Sequence, residues 1–213
     1  MATPLRSPIS ETNDAVGRIL SAAEALFAEH GFEAVSMHAI AGRAGVSKAN
    51  IFHHFTSKRE LYLAVLRNAC QDAVQHLQHL ETNEDTFSQR FSAYAGAMLN
   101  GMLEREQLHR LIQRELLAEN DSGLAKEMAE QVFGDKFARL VTILRNGQAR
   151  GELRTEFDPA MAAIALIGVN LFFLRSRKIF QHFAEVSFAA DPAKYSELLA
   201  DILLHGLLKR PQQ

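Results

Sequence analysis

Apolar residues recur every three or four positions through residues 14–30, the spacing that places side chains on one face of an α-helix. Gly31 follows the last of these positions, and glycine commonly ends a helix. The pattern predicts one amphipathic helix, whose apolar face consists of Val16, Ile19, Leu20, Ala23, Leu26 and Phe27. Pro4 and Pro8 interrupt the opening segment, which predicts a flexible arm there rather than a signal peptide.

A second pattern, in residues 36–55, predicts two short helices joined by a tight turn. The apolar residues at helical spacing end at Ala44, and Gly45 then offers the left-handed backbone conformation that closes a helix at low cost. Ser47 is of the type that caps helix N-termini, so the next helix is predicted to begin at Lys48. Such a helix-turn-helix places its second helix where it can read DNA.

The second of these helices is predicted to have two different faces. We expect Ile51, Phe52 and Phe55 to be buried against the preceding helices. The opposite face is then turned to solvent or to a ligand, and it carries Lys48, Ala49, Asn50, His53 and His54.

Helical spacing continues to the end of the chain. Ser57 and Glu60 have the spacing of a capping box, and the helix they begin is predicted to run unbroken from Lys58 to about Leu80. Further amphipathic helices are predicted over residues 86–103, 107–119 and 124–148, and after the Asp-Pro pairs at 158–159 and 191–192. No segment alternates like a strand. The sequence therefore predicts an all-α fold, with a three-helix helix-turn-helix domain over residues 13–72 and a larger helical effector-binding and dimerisation domain over residues 73–213.

Several of these positions together resemble the DNA-binding domain of TetR-type transcriptional regulators. The resemblance covers residues 13–72 and implies a dimer that releases its operator when a small molecule binds. Three positions depart from the family pattern, because Ser36 replaces threonine, Ala49 replaces glycine and Phe52 replaces tyrosine, which removes a hydroxyl that contacts phosphate. The matching residues are Ala22, Ala23, Leu26, Phe27, Gly31, Phe32, Ile40, Ala41, Ala44, Gly45, Val46, Ser47, His54, Phe55, Lys58 and Leu61.

Charge is unevenly distributed along the chain. The net charge is −2, yet the region around the turn is basic, with Glu60 as its one acidic residue and Arg43, Lys48, Lys58, Arg59 and Arg67 as its cations. These cations are either ordinary solvated surface charges or contacts to double-stranded DNA, and their coincidence with the turn favours DNA.

The residue types on this surface suggest that some residues contact bases and others contact phosphates. Lysine suits guanine acceptors and asparagine suits adenine, so Lys48 and Asn50 are the candidate base readers. Phosphate contacts are predicted for Ser36, Ser47, His53, His54 and Lys58, while His38 and Arg43 suit either role, and Ala49 lies at the surface nearest the bases. Each histidine has the alternative of an ordinary surface role.

The middle helices are candidates for a cavity that holds a hydrophobic or amphipathic effector. The alternative is that the same residues only pack, which is the commoner fate of aromatic and methionine stripes. The predicted ligand-binding residues are Phe91, Tyr94, Met98, Met102, Ile112, Gln113, Arg114, Phe133, Phe137 and Asn170.

Residues 159–174 are uncharged and almost wholly apolar. Their sixteen residues are fewer than the roughly 20 that span a bilayer, which argues against a membrane helix. A helix that is apolar all round must be covered on two sides, either inside its own chain or by a second subunit. Because a palindromic site requires a two-fold reader, we expect a homodimer through Ile164, Gly168, Leu171, Phe172, Leu199, Ile202 and Leu203.

Other chemistries receive less support. Asp72, His76 and His79 share a helical face, but nine histidines produce such groupings by chance, so no metal and no cofactor are predicted. The single Cys70 excludes an internal disulfide and fits a reducing, cytoplasmic location. The common nucleophile, metalloprotease and phosphate-loop motifs are missing, which argues against an enzyme. The remaining alternative is a DNA-bound structural or cell-division factor without a small-molecule effector.

Overall fold

The computed structural model describes residues 8–82, 85–116 and 123–207. These residues form α-helices with one π-helical turn, one 3₁₀ turn and no β-sheet, so the all-α prediction is confirmed. The α-helices are α1 (Pro8–His30), α2 (Met37–Ala44), α3 (Lys48–His54), α4 (Lys58–Ala69), α5 (Asp72–Glu81), α6 (Phe87–Glu104), α7 (Glu106–Leu116), α8 (Leu124–Met128), α9 (Gly134–Ala149), α10 (Pro159–Phe180) and α11 (Pro192–Leu207).

The chain divides into two compact units. One, which we call the head, contains the chain up to Ala69 together with Gln107–Val132. The other, which we call the body, contains Cys70–Glu106 and the chain from Phe133 onward. The functional domain boundary expected after residue 72 remains a prediction. Nothing in the sequence pattern indicated that Gln107–Val132 belongs to the same unit as the N-terminal helices.

The first three helices follow their local signals. Ser36 caps α2, with its hydroxyl oxygen accepting the Ala39 N–H at 3.1 Å, and Ser47 caps α3 by accepting the Asn50 N–H at 3.1 Å. Between the two helices, Gly45 has φ +65°, the left-handed conformation that the turn requires. The core beneath them is closed, with Ile19, Phe27, Ile40, Ile51 and Leu61 fully buried.

Two predictions about the first helices are wrong. The segment predicted as a flexible arm is helical from Pro8 onward, where proline is compatible with the first turn of a helix. The unbroken helix from Lys58 to Leu80 is instead two helices, which end and begin at Ala69 and Asp72. The apolar spacing runs on through the junction and hides the break, which falls among the weak helix formers Asn68, Cys70 and Asp72.

The capping box before α4 also differs in detail. The Ser57 hydroxyl accepts the Glu60 N–H at 3.1 Å as predicted. The Glu60 carboxylate, however, reaches Thr56 rather than Ser57, accepting its N–H at 2.7 Å and its hydroxyl at 2.6 Å. These hydrogen bonds from Thr56 hold the pKa of Glu60 below its usual range.

The single helix predicted over residues 124–148 is likewise divided. A π-helical turn at Ala129–Phe133 separates α8 from α9, and such a turn adds a residue to the repeat without any proline or strong polarity change. Gly147 lies buried inside α9 rather than at its end, and Gly151, with φ +72°, ends the segment.

The body is built around α6, which packs on α5 and α11, while α9 packs on α5 and α10. Arg90 is 5% exposed and joins three segments at one corner of this core. Its guanidinium donates to the Leu80 carbonyl at 2.6 Å, to the Asp85 carbonyl at 3.1 Å and to the Glu152 carboxylate at 3.1 Å. Sequence reasoning did not identify Arg90, because its partners lie up to 62 residues away.

Candidate DNA-binding surface

Helix α3 presents the surface that the turn motif predicted, with one exception. Ile51 and Phe55, four residues apart, are 0% and 8% exposed and form the buried side. Phe52, predicted to be buried, is 42% exposed, because it lies about 100° around the helix from Ile51. The Lys48 ammonium lies 5.7 Å from the centroid of the Phe52 ring. The exposed face of α3 thus combines a cation with an aromatic ring.

The two candidate base readers differ in accessibility. Lys48 is exposed, as is Ala49 beside it. Asn50 is half-buried, and its Oδ1 atom is covered by protein and has no hydrogen-bond partner. Pairing with adenine uses both the oxygen and the nitrogen of the amide. The Asn50 side chain must therefore rotate before it can pair with a base in this way.

The candidate phosphate contacts lie near the N-termini of α2 and α3 and the C-terminus of α3. Ser36 and Ser47 are exposed, and each hydroxyl that accepts a cap hydrogen bond still has its O–H to donate. His38 and His53 are exposed and His54 is half-buried, with the two rings of His53 and His54 in an edge contact at 4.9 Å. These positions can bring donors to an anionic backbone.

The cations around the turn are engaged to different degrees. Arg59 forms an ion pair with Glu127 of α8 at 2.6 Å, and Arg43 lies 3.9 Å from Glu29 of α1. The ammonium of Lys58 donates to backbone carbonyls of the head, with Phe32 O at 2.9 Å. The sequence therefore overstated how much positive charge is available to a partner, because these contacts link residues far apart in the chain.

The predicted ligand-binding residues are divided between the two units. Ile112 and Gln113 are buried in the head, and Arg114, also in the head, is exposed beside Glu115 at 3.7 Å. The other seven belong to the body. Phe91, Tyr94 and Asn170 are buried there, and the remaining four are half-buried, namely Met98, Met102, Phe133 and Phe137.

Two buried polar groups stand out among the body residues. Asn170 is 0% exposed, and its Nδ2 atom donates to the Leu166 carbonyl of its own helix at 2.8 Å. Its Oδ1 atom is buried without a hydrogen-bond partner. Tyr94 is 6% exposed, and burial raises the pKa of its hydroxyl to about 12. A buried polar atom without a partner is costly, so the Oδ1 atom of Asn170 marks a position suited to bond a polar ligand atom.

Helix α10 has two apolar faces, as predicted. Its buried face carries Ala163, Leu166, Asn170, Phe173 and Leu174. Its other face is exposed, including the predicted interface residues Ile164 at 54% and Phe172 at 59%. Gly168 is also exposed and Leu171 is half-buried. The exposed face further includes Met161, Val169 and Ile179, which the predicted interface did not contain.

Helix α11 contributes less to this exposed apolar surface. Ile202 is 69% exposed and Leu203 is half-buried, whereas Leu199 lies in the core of its own chain at 7% exposure. Leu198, which the predicted interface did not contain, is 38% exposed. The helical period of 3.6 residues therefore places Leu198 and Ile202 on the exposed side of α11 and Leu199 and Leu203 on the side that packs on the core.

The length argument against a membrane helix is wrong. Helix α10 has 22 residues, about 33 Å at 1.5 Å per residue, so length and composition alone would let it cross a bilayer. The helix extends beyond the uncharged stretch and ends in the basic residues Arg175, Arg177 and Lys178. Core helices of soluble proteins meet the same criteria.

No group of three metal-ligating side chains occurs among the residues whose side chains are described. The side chain of Asp72, one of the three positions considered from the sequence, lies outside them.

Known proteins resemble both the sequence and the fold. Residues 19–65 match the family described as "Bacterial regulatory proteins, tetR family". The HTH-type transcriptional activator FasR of Mycolicibacterium smegmatis is 39% identical over 117 residues, which cover 54% of this chain and 51% of FasR. The HTH-type transcriptional regulator UidR of Escherichia coli is 26% identical over 176 residues, 81% of this chain and 86% of UidR.

A solved structure extends the likeness to most of the chain. SmeT, the repressor of the Stenotrophomonas maltophilia multidrug efflux pump SmeDEF, has a TM-score of 0.69 and 26% identity, covering 92% of this chain and 93% of SmeT. The aligned part of this chain spans about half the length of FasR. The family match over residues 19–65 and the likeness to UidR and SmeT support a TetR-type transcriptional regulator.

Proposed function

We propose that the chain is a sequence-specific DNA-binding repressor that acts as a homodimer and leaves a palindromic operator when a small hydrophobic or amphipathic effector binds. The single observation that carries the proposal is the α2–α3 turn, where two capped helices expose Lys48 and Ala49 on a helix of the length that fits a major groove. FasR is named an activator and SmeT a repressor, so the sign of regulation requires its own test.

The proposed DNA contacts follow from accessibility. Lys48 has an exposed ammonium at the start of α3 and suits guanine acceptors. The exposed ring of Phe52 suits apolar contact with a thymine methyl group or a sugar. Ser36, Ser47 and the histidines at the end of α3 supply phosphate contacts, which fix the register of the helix on the duplex. Arg43 can join them by leaving its 3.9 Å contact with Glu29.

The proposed dimer uses the exposed face of α10. Its side chains include Met161 at 64% and Ile164 at 54% exposure, an unusual density of large apolar residues for a solvated helix. Covering this face with the same face of a second chain gives a two-fold arrangement, which a palindromic site requires. The exposed Ile202 of α11 extends the surface.

The proposed effector site is in the body. The Oδ1 atom of Asn170 is buried without a hydrogen-bond partner, and a ligand with one polar group and an apolar remainder can donate a hydrogen bond to it. Binding weakens DNA affinity if the ligand prefers a conformation of the dimer in which the two heads no longer fit adjacent grooves.

The second candidate function, a DNA-bound factor without an effector, shares the head and differs only in the body. It predicts that no small molecule changes the affinity for DNA.

The proposal is tested by selecting bound duplexes from a random pool with the full-length chain at low ionic strength. We expect enriched sequences with two inverted half-sites about 10 base pairs apart or a multiple of that distance. The selected duplex is then used to screen straight-chain carboxylic acids and hydrophobic amines for release. No enrichment of any sequence would contradict the DNA-binding role, and enrichment without release by any compound would favour the factor without an effector.

A further inference from the structure

Phe52 differs from the other large apolar residues of helices α1–α4. Between residues 14 and 69, all of which the structure describes, every other phenylalanine, tyrosine, leucine, isoleucine, methionine and valine is buried or half-buried. Phe52 is 42% exposed, and it belongs to α3, the helix proposed to read DNA. Its ring is therefore available for a contact outside the chain.

The ring of Phe52 lies on the same face of α3 as Lys48. The two residues are four positions apart, so their side chains share one side of the helix, and the Lys48 ammonium lies 5.7 Å from the ring centroid. Ile51 and Phe55 form the buried side of the helix, at 0% and 8% exposure. A duplex that contacts the Lys48 ammonium is therefore also presented with the Phe52 ring.

The base edges of the major groove offer an aromatic ring one kind of apolar partner. They present hydrogen-bond donors and acceptors, and thymine adds the methyl group on its C5 atom. A phenylalanine ring gains by covering this methyl group, because both apolar surfaces leave water. The ring loses by covering a donor or an acceptor, because it cannot replace the hydrogen bond to water. The chemistry of Phe52 thus favours thymine over the other three bases.

The spacing along α3 limits where this thymine lies in the operator. Four residues of an α-helix rise about 6 Å, and neighbouring base pairs are about 3.4 Å apart along the duplex. A helix in the major groove therefore brings Lys48 and Phe52 to base pairs that are no more than about two steps apart.

We propose that Phe52 is a specificity-determining residue that covers the C5 methyl group of one thymine in each half-site, no more than about two base pairs from the base that Lys48 contacts. This inference rests on the proposed DNA-binding function, in which α3 enters the major groove. The alternative is a contact between the ring and a sugar, which carries no sequence information.

The test removes the methyl group from the DNA and the ring from the protein. The full-length chain is bound to a duplex that it selected from a random pool, and to duplexes in which each thymine in turn is replaced by deoxyuridine, which lacks only the methyl group. Fluorescence anisotropy gives each Kd. At one thymine we expect deoxyuridine to weaken wild-type binding about fourfold, the equivalent of one buried CH₂ group, and about 15-fold when both half-sites are substituted.

The protein variants show whether the ring is responsible for this loss. Phe52→Ala should bind the thymine and deoxyuridine duplexes with equal Kd, because the side chain that covers the methyl group is absent. Phe52→Tyr keeps the ring, and we expect the preference for thymine to remain at least about twofold. Circular dichroism at the temperature of the measurement shows whether each variant is folded.

Ala49→Gly is the matched control. Ala49 is also exposed on α3, and an alanine side chain can contact a thymine methyl group as well. We expect the Phe52-dependent loss with deoxyuridine to remain in Ala49→Gly. A loss that disappears in Ala49→Gly and remains in Phe52→Ala would assign the contact to Ala49 and overturn the proposal.

A crosslinking measurement on the wild-type protein covers the case in which Phe52→Ala does not fold. Thymine at the sensitive position is replaced by 5-iododeoxyuridine, in which iodine occupies the place of the methyl group. After irradiation, mass spectrometry of the digested complex identifies the crosslinked residue. The proposal expects a crosslink at Phe52, and a crosslink at another residue with none at Phe52 would overturn it.

Two further results would overturn the proposal without touching the proposed function. One is a selected duplex in which no deoxyuridine substitution changes the Kd of the wild-type chain. The other is a weaker Phe52→Ala that keeps the full loss with deoxyuridine, which would indicate a contact with a sugar. If the wild-type chain selects no duplex at all, the proposed function fails instead, so the two failures are distinguishable.

Discussion

Helices α3 and α10 each bury one face, but what they leave exposed is of opposite chemistry. Helix α3 has seven residues and exposes a lysine, a phenylalanine and histidines beside a capped N-terminus. Helix α10 has 22 residues and exposes large apolar side chains along most of its length. The first surface suits a polyanion and the second suits another apolar surface. In the proposed function, DNA contact and self-association therefore belong to separate helices, which can be disrupted separately.

The first prediction concerns the buried side of α3. Ile51→Ala removes a fully buried side chain under the reading surface, and such a change costs about 2–5 kcal/mol of unfolding free energy. Phe52→Ala, on the exposed side of the same helix, should cost less than about 1 kcal/mol while weakening DNA binding. Urea denaturation of both variants measures the difference. Equal losses would mean that Phe52 is buried after all.

The second prediction concerns the exposed apolar face of α10. Phe172→Glu places a charge on the exposed apolar face, and we expect the variant to become monomeric, because burying an unpaired carboxylate in an apolar interface is prohibitive. A monomer reads one half-site, so affinity for the selected duplex should fall at least about 100-fold, or about 2.7 kcal/mol.

Analytical ultracentrifugation gives the mass of this variant relative to the 23.7 kDa chain. Ala138→Glu on the exposed side of α9 is the control and should remain dimeric. A dimer that survives Phe172→Glu would show that α10 does not form the interface.

The third prediction compares two glycines of the helix-turn-helix, Gly45 and Gly42. Gly45 has φ +65°, so Gly45→Ala should destabilise the protein by about 1 kcal/mol. Gly42 lies inside α2 with open space at its Cβ position, and Gly42→Ala should stabilise the protein by up to about 1 kcal/mol. Thermal unfolding distinguishes the two signs. The same sign for both would contradict the turn geometry.

The fourth prediction concerns the free energy of unfolding that an exposed ion pair contributes. In the body, Arg139 donates to the Glu81 carboxylate, with Nε to Oε1 at 2.6 Å, and this hydrogen bond lowers the pKa of Glu81. A carboxyl whose pKa is lowered on folding stabilises above its unfolded value near 4.3, and this contribution is lost as the pH falls through the folded value.

We therefore expect Arg139→Met to cost less than about 1 kcal/mol at pH 7 and less still near pH 3. Urea titrations at the two pH values measure the change. A cost that grows as the pH falls would contradict the assignment.

The helix-turn-helix was predictable because every signal that builds it is local. Ser36 and Ser47 cap through hydroxyls three residues from their partners, and Gly45 supplies a backbone conformation that few other residues adopt. The two faces of α10 were predictable for a similar reason, since helical periodicity separates Leu166 from Ile164.

The remaining features depend on contacts that sequence spacing does not encode. The pairing of Arg59 with Glu127 spans 68 residues, and the bond from Lys58 to Phe32 spans 26, so neither cation could be recognised as engaged. The break after Ala69 falls within continuous apolar spacing, and the π-helical turn before Gly134 contains no proline. Phe52 was misplaced because it lies about 100° around α3 from the buried Ile51 and is therefore turned away from the core.

The salt dependence of binding tests the proposal that α3 contacts DNA. For the wild-type chain and its selected duplex, log Kobs should fall linearly with log salt at a slope of several units, about 0.9 for each phosphate contacted. Ser47→Ala, which removes the α3 cap and a proposed phosphate donor, should bind more weakly. Binding that is unchanged between 50 and 200 mM salt, or that ignores Ser47→Ala and Lys48→Met together, would contradict the account.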